Sequence, residues 1–107
     1  MIKVSVFKNQ DIFLGIEITG HAQSAEYGKD LVCAGVSAIA IGLNNALDTK
    51  GIEFNCVANP GYFKLDLNDS TIVAQTIMYT GVEQLKTIQE NYSKYIRIGN
   101  KEVKPWN

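Results

Sequence analysis

Apolar residues recur along this chain with two different spacings. "MIKVSVFK" alternates, placing Ile2, Val4 and Val6 on one face, and "DIFLGIEITG" does the same with Ile12, Leu14, Ile16 and Ile18. A period of two belongs to a strand with one buried side. Asn9, Gln10 and Asp11 between the runs supply turn chemistry, so the first nineteen residues predict a β-hairpin. Residues 20 to 30 are small or polar, with Gly20 and Gly28 as breakers, and read as a loop. From Leu31 the period lengthens: Val32, Val36, Ile39, Leu43 and Leu47 step by three or four and mark one face of a helix. Asp30 stands just before this stripe as the expected N-cap, and Gly51 follows it as the expected C′ residue.

The second half repeats the arrangement. "IEFNCV" puts Ile52, Phe54 and Cys56 on one face, Asn59-Pro60-Gly61 turns the chain, and "YFKLDL" puts Phe63, Leu65 and Leu67 on one face. Asp69 or Ser70 is expected to cap a second helix whose buried side carries Val73, Ile77, Leu85, Ile88 and Tyr92. Gly81 is its weak point, at about 1 kcal/mol relative to Ala. "KYIRIG" alternates as a last strand, and the polar tail around Trp106 adds at most a short edge strand. The order ββαββαβ predicts an α+β fold, a mixed sheet of five or six strands packed by two long helices. No linker, repeat or low-complexity tract divides the chain, so residues 1–107 are expected to form a single domain.

Composition narrows the partners. The chain has 107 residues, a net charge of −1 and a sequence pI near 5.7. Such a balance gathers no phosphates by bulk electrostatics, which argues against direct nucleic-acid binding. The most apolar stretch, residues 31–43, is too short for a bilayer, and the alternating N-terminus is no signal peptide, so no membrane partner and a cytoplasmic location are expected. The two cysteines, Cys33 and Cys56, then read most simply as cytosolic thiols, although the sequence leaves a disulfide open.

The chemistry concentrates in "GHAQSAEYGKDLVCAGVS", which holds the chain's sole histidine, His21, and Cys33. With Asp30 as N-cap, Cys33 falls in the first helical turn, where unpaired backbone N–H groups and the positive dipole end favour a thiolate. His21, at the end of the second strand, is a base that the intervening loop can bring to the sulfur. Gly20 gives the strand-to-loop switch its backbone freedom, and Ser37 shares a helical face with Cys33. Taken singly, each residue has a plainer reading: a surface histidine, a core cysteine, a simple cap, an ordinary helix serine. A non-catalytic binding domain is therefore the competing function. A zinc site is weaker, since His21, Cys33 and Cys56 lack metal spacing, and a dithiol redox centre would need a C-x-x-C motif. No metal or cofactor is expected.

"GHA" at 20–22 followed by "YGKDLVCAGVSAIA" at 27–40 resembles the ribosomal-processing cysteine protease (Prp) family, and the resemblance extends through "NPGYFKLDL" and "YIRI". It implies that His21 and Cys33 form a catalytic pair, with Gly20, Asp30 and Ser37 as the supporting positions of the motif. It further implies an endopeptidase that removes the short N-terminal extension of a large-subunit ribosomal protein, and a homodimer; the competing non-catalytic domain would, on the same resemblance, be one attached to the ribosome.

Overall fold

The computed structural model describes residues 1–20 and 27–104. Two hairpins come first in their respective halves, each followed by a helix: β1 (Ile2–Asn9), β2 (Ile12–Thr19), α1 (Tyr27–Thr49), β3 (Phe54–Asn59), β4 (Tyr62–Leu67), α2 (Ile72–Tyr92) and β5 (Ile96–Glu102). The five strands form one mixed sheet in the order β3-β4-β2-β1-β5. All neighbours are antiparallel except β1 and β5, which pair in parallel from Ile2↔Ile96 to Lys8↔Glu102. The expected ββαββαβ order and α+β class are therefore correct, with five strands. Among the described residues of the tail, 100–102 extend β5, which runs through Glu102, and form no separate strand.

Both helices pack on one face of the sheet and against each other, and a single core fills the space between. Ile2, Val4 and Val6 of β1, Ile16 and Ile18 of β2, and Phe63, Leu65 and Leu67 of β4 face Val32, Val36, Ala40, Leu43 and Leu47 of α1 and Ala74, Met78, Val82 and Leu85 of α2. The stripe expected on α1 is thus the buried one. On α2 Leu85 is buried as expected and Ile77, Ile88 and Tyr92 pack against the core, but in the first turns Ala74 and Met78 are the buried residues while Val73 is 47% exposed.

Three other local expectations are corrected. The pairing of β1 with β2 slips between Phe7 and Lys8, leaving Leu14 as the extra residue opposite them. This bulge turns Phe13 into the core and takes Leu14 out of it, against simple alternation. α1 starts at Tyr27 and runs through Gly28, so Asp30 lies inside the helix and is not its N-cap. A single glycine costs a helix about 1 kcal/mol, less than the packing of the following 21 residues returns. α2 is capped by Thr71, whose hydroxyl accepts from the Ala74 N–H at 3.3 Å; Asp69 instead braces the cap by accepting from the N–H and hydroxyl of Thr71. The other end of α1 is as expected. Gly51 has φ +70°, its N–H reaches the Asp48 carbonyl and the Ile52 N–H reaches that of Leu47, the two bonds of a Schellman stop.

The apolar part of α1 also extends beyond residue 43. Leu31–Thr49 would suffice to cross a membrane by length and composition. In this fold the apolar character comes from a stripe committed to the sheet and a run of small residues between its members.

Candidate active-site cleft

Gly20 closes β2 with φ +94°, and its N–H donates to the Gly61 carbonyl at 3.0 Å, tying the strand end to the turn of the second hairpin. A Cβ at this position would run into the carbonyl oxygen of Met1. Left-handed backbone and lack of space together demand glycine here. The freedom expected of Gly20 is used to hold one particular exit from the sheet.

Beside this corner, between the N-terminal half of α1 and the tip of the β3–β4 hairpin, lies a cleft of about 170 Å³. Its helical wall is a row at intervals of four residues, Cys33, Ser37 and Ile41, flanked by Val36 and Ala40, which turn into the core. The opposite wall is Ala58, Asn59, Gly61, Tyr62 and Phe63. Gly20 completes one end. Three of the residues singled out in the sequence, Gly20, Cys33 and Ser37, are thus brought to one apolar groove. His21 lies outside the described residues, and of Asp30 only the backbone is described.

Cys33 is partly buried and sits in the second turn of α1, not the first. Its own N–H belongs to the helix ladder, whose unpaired donors end with the first turn. The dipole's influence also fades within that turn. The start at Tyr27 therefore moves both aids expected from Asp30 capping away from the sulfur.

Besides Cys33 and Ser37 on the helix, the cleft's polar side chains come from the hairpin. The Tyr62 hydroxyl donates to Glu17 at 2.9 Å, and this bond to a carboxylate raises the phenol's pKa above its ordinary value. Asn59 adds a carboxamide at the rim. Neither residue, nor Ile41, was singled out in the sequence. "NPGY" announces a turn, but nothing local says that the turn folds back over residue 33. Cys56 is a thiol on the inner face of β3, packed against the core and absent from the cleft; burial pushes its pKa up. Among the described residues no three His, Cys, Asp or Glu side chains gather as a metal site would require.

Cys33 thus stands on a helix wall facing an open apolar groove, and the match to a protease family model places the chain in the class of cysteine proteases. The chain belongs to the cysteine protease Prp family, whose model matches residues 1–97. Among its relatives are the ribosomal processing cysteine proteases Prp of Staphylococcus aureus strain Mu50, 35% identical over 106 residues (94% of this chain, 100% of that protein), and of Bacillus subtilis strain 168, 34% identical over 107 residues (92% and 96%). The fold matches the crystal structure of S. aureus Prp in complex with a substrate peptide. The TM-score is 0.87 at 32% identity, covering 94% of this chain and 100% of that one. The same protease with a covalently linked product peptide gives a TM-score of 0.86 at 33% identity, with equal coverage.

Proposed function

We propose that this protease removes the short N-terminal extension of a large-subunit ribosomal protein, with Cys33 as nucleophile and His21 as its base. The observation that carries the reading is the cleft itself, which sets Cys33 in the wall of a groove with Ser37 and Gly20 beside it. The names of the relatives, ribosomal processing proteases, support the substrate class.

His21 takes the thiol proton as the Cys33 sulfur adds to the scissile carbonyl. The tetrahedral adduct collapses, the C–N bond breaks, and the imidazolium hands its proton to the departing amine. Water, deprotonated by His21, then cleaves the thioester and the thiol is restored. Because the Cys33 N–H is held in the helix, the oxyanion is stabilised by other donors, and the Ser37 hydroxyl one turn along the same wall is the one assigned here. Activation of the sulfur rests on His21 more than on the dipole.

The protein works in the cytoplasm as a homodimer. Apolar side chains on the outer helix faces support the second copy: Ile72 is 84% exposed and Tyr79 56%. Sedimentation at micromolar concentration is expected to give twice the chain mass; a monomer there would remove the dimer.

The direct test is incubation with the extended ribosomal protein, followed by mass measurement. One cut releasing the extension is expected, with Cys33→Ala and His21→Ala each reducing it by about a thousandfold or more while the fold persists. Unchanged processing by either variant would refute the pair.

A further inference from the structure

The sheet has two edges, and they are treated differently. At the β5 edge, the side-chain carboxamide oxygen (Oε1) of Gln89 on α2 accepts from the Ile98 N–H at 2.7 Å, so the helix satisfies an outward donor there. At β2, beyond its pairing with β4, Gln75 of α2 both accepts from the Phe13 N–H at 2.7 Å and donates to the Phe13 carbonyl at 2.8 Å. The β3 edge has no such cover among the described residues.

Which β3 groups face outward follows from the register. Asn59 and Tyr62 flank the two-residue turn Pro60-Gly61, and in such hairpins the flanking pair is the hydrogen-bonded kind. The pairs then alternate, so Val57↔Lys64 and Asn55↔Asp66 are bonded. The Asn68 N–H donates to the Glu53 carbonyl at 3.0 Å, which confirms the parity from the far end. Phe54, Cys56 and Ala58 therefore direct their N–H and carbonyl groups away from β4. Ala58 is also part of the cleft wall opposite Cys33. The row of outward groups thus leads into the cleft, and Ala58 presents only a methyl group beside it.

We infer that the substrate peptide binds as an added strand on the β3 edge, bonded to the backbone of Ala58 and Cys56, with alternate side chains turned toward Ile41 and the cleft. The inference rests on the reading of the chain as a peptidase acting through Cys33. Strand addition makes affinity depend on the peptide's main chain, while the cleft selects among side chains. It also gives partners to outward β3 groups that no described residue covers.

The test uses peptides of roughly ten residues spanning the processing site, long enough to follow β3 at about 3.3 Å per residue. Each carries one N-methyl group at successive positions. Affinity is measured for the Cys33→Ala chain and kcat/KM for the unaltered protein. An added strand turns every second N–H toward β3, so methylation at alternate positions is expected to weaken binding about fivefold to tenfold and at intervening positions hardly at all. Ala58→Pro, which removes an outward donor but no bond to β4, is expected to cost about tenfold in peptide affinity with the circular dichroism spectrum retained. A flat methylation profile in both measurements overturns the strand. If peptides bind with the alternating profile but are never cut, the strand stands and the protease reading of Cys33 falls. If they are cut with a flat profile, the reverse holds.

Discussion

Glycine at position 20 shows how a single residue can be read correctly for an incomplete reason. Its left-handed φ was legible as backbone freedom at a strand end, whereas its closeness to Met1 and its bond to Gly61 arise from contacts no local pattern reveals. Gly20→Ala is expected to lower stability by about 2 kcal/mol, from strain and the blocked carbonyl together, read as a drop in the denaturation midpoint. The two cysteines separate in the same way. Cys33 was marked by its neighbours in the motif and Cys56 by alternation with Phe54; both pack against the core, and of the two Cys33 also lines the cleft. Burial raises the Cys56 pKa above its ordinary 9.0. Above that pH the unfolded thiol has lost its proton while the folded one keeps it, so Cys56 contributes stability below pH 9 that is lost as pH rises further. Alkaline denaturation of the Cys56→Ala chain should accordingly be shallower above pH 9 than that of the parent. An alkylating reagent at neutral pH should spare Cys56, as peptide mass mapping would show. The role assigned to Ser37 also belongs at this scale. Ser37→Ala is expected to lower kcat about tenfold or more with KM little changed, and an unaltered kcat would remove the hydroxyl from the oxyanion site.

Among the elements, periodicity located every strand and both helices, and it failed where one residue was inserted or a cap was shared. The bulge at Leu14 reverses the faces of β2 below it, and a period-two count has no means of registering an unpaired residue. The start of α1 was placed late because Gly28 was weighed as a breaker by its own propensity, and the start of α2 because three candidate caps stand in a row, Asp69, Ser70 and Thr71. Gly81 was read as a defect in α2. It is buried at the crossing with α1, and a Cβ there would stand 2.5 Å from a methyl carbon of Leu43. Gly81→Ala therefore sets a gain of about 1 kcal/mol in helix propensity against overpacking of 1–3 kcal/mol or so. The expected net is a loss of about 1 kcal/mol, and a rise in melting temperature would show that Leu43 yields at no cost. Gln75 is a larger anchor than its half-exposed position suggests, since it alone satisfies both backbone groups of Phe13. Gln75→Ala should cost about 2 kcal/mol in denaturant unfolding, more than Thr71→Ala at about 1 kcal/mol.

At the scale of the whole molecule, two crossovers, β2-α1-β3 and β4-α2-β5, lay both helices on one side of the sheet and bring the second hairpin's turn against the start of α1. That arrangement creates the cleft, and it explains why the motif holding His21 and Cys33 was legible while the opposite wall was not. The wall depends on strand order, which alternation does not encode. The parallel pairing of β1 with β5 has a further consequence, one of timing. β1 is synthesised ahead of every other described element and β5 after them, so one flank of β1 stays bare while all the intervening chain emerges. A chain halted before Ile96 would present that flank as a sticky ribbon, and such a fragment should precipitate or be degraded rather than persist as a slower enzyme.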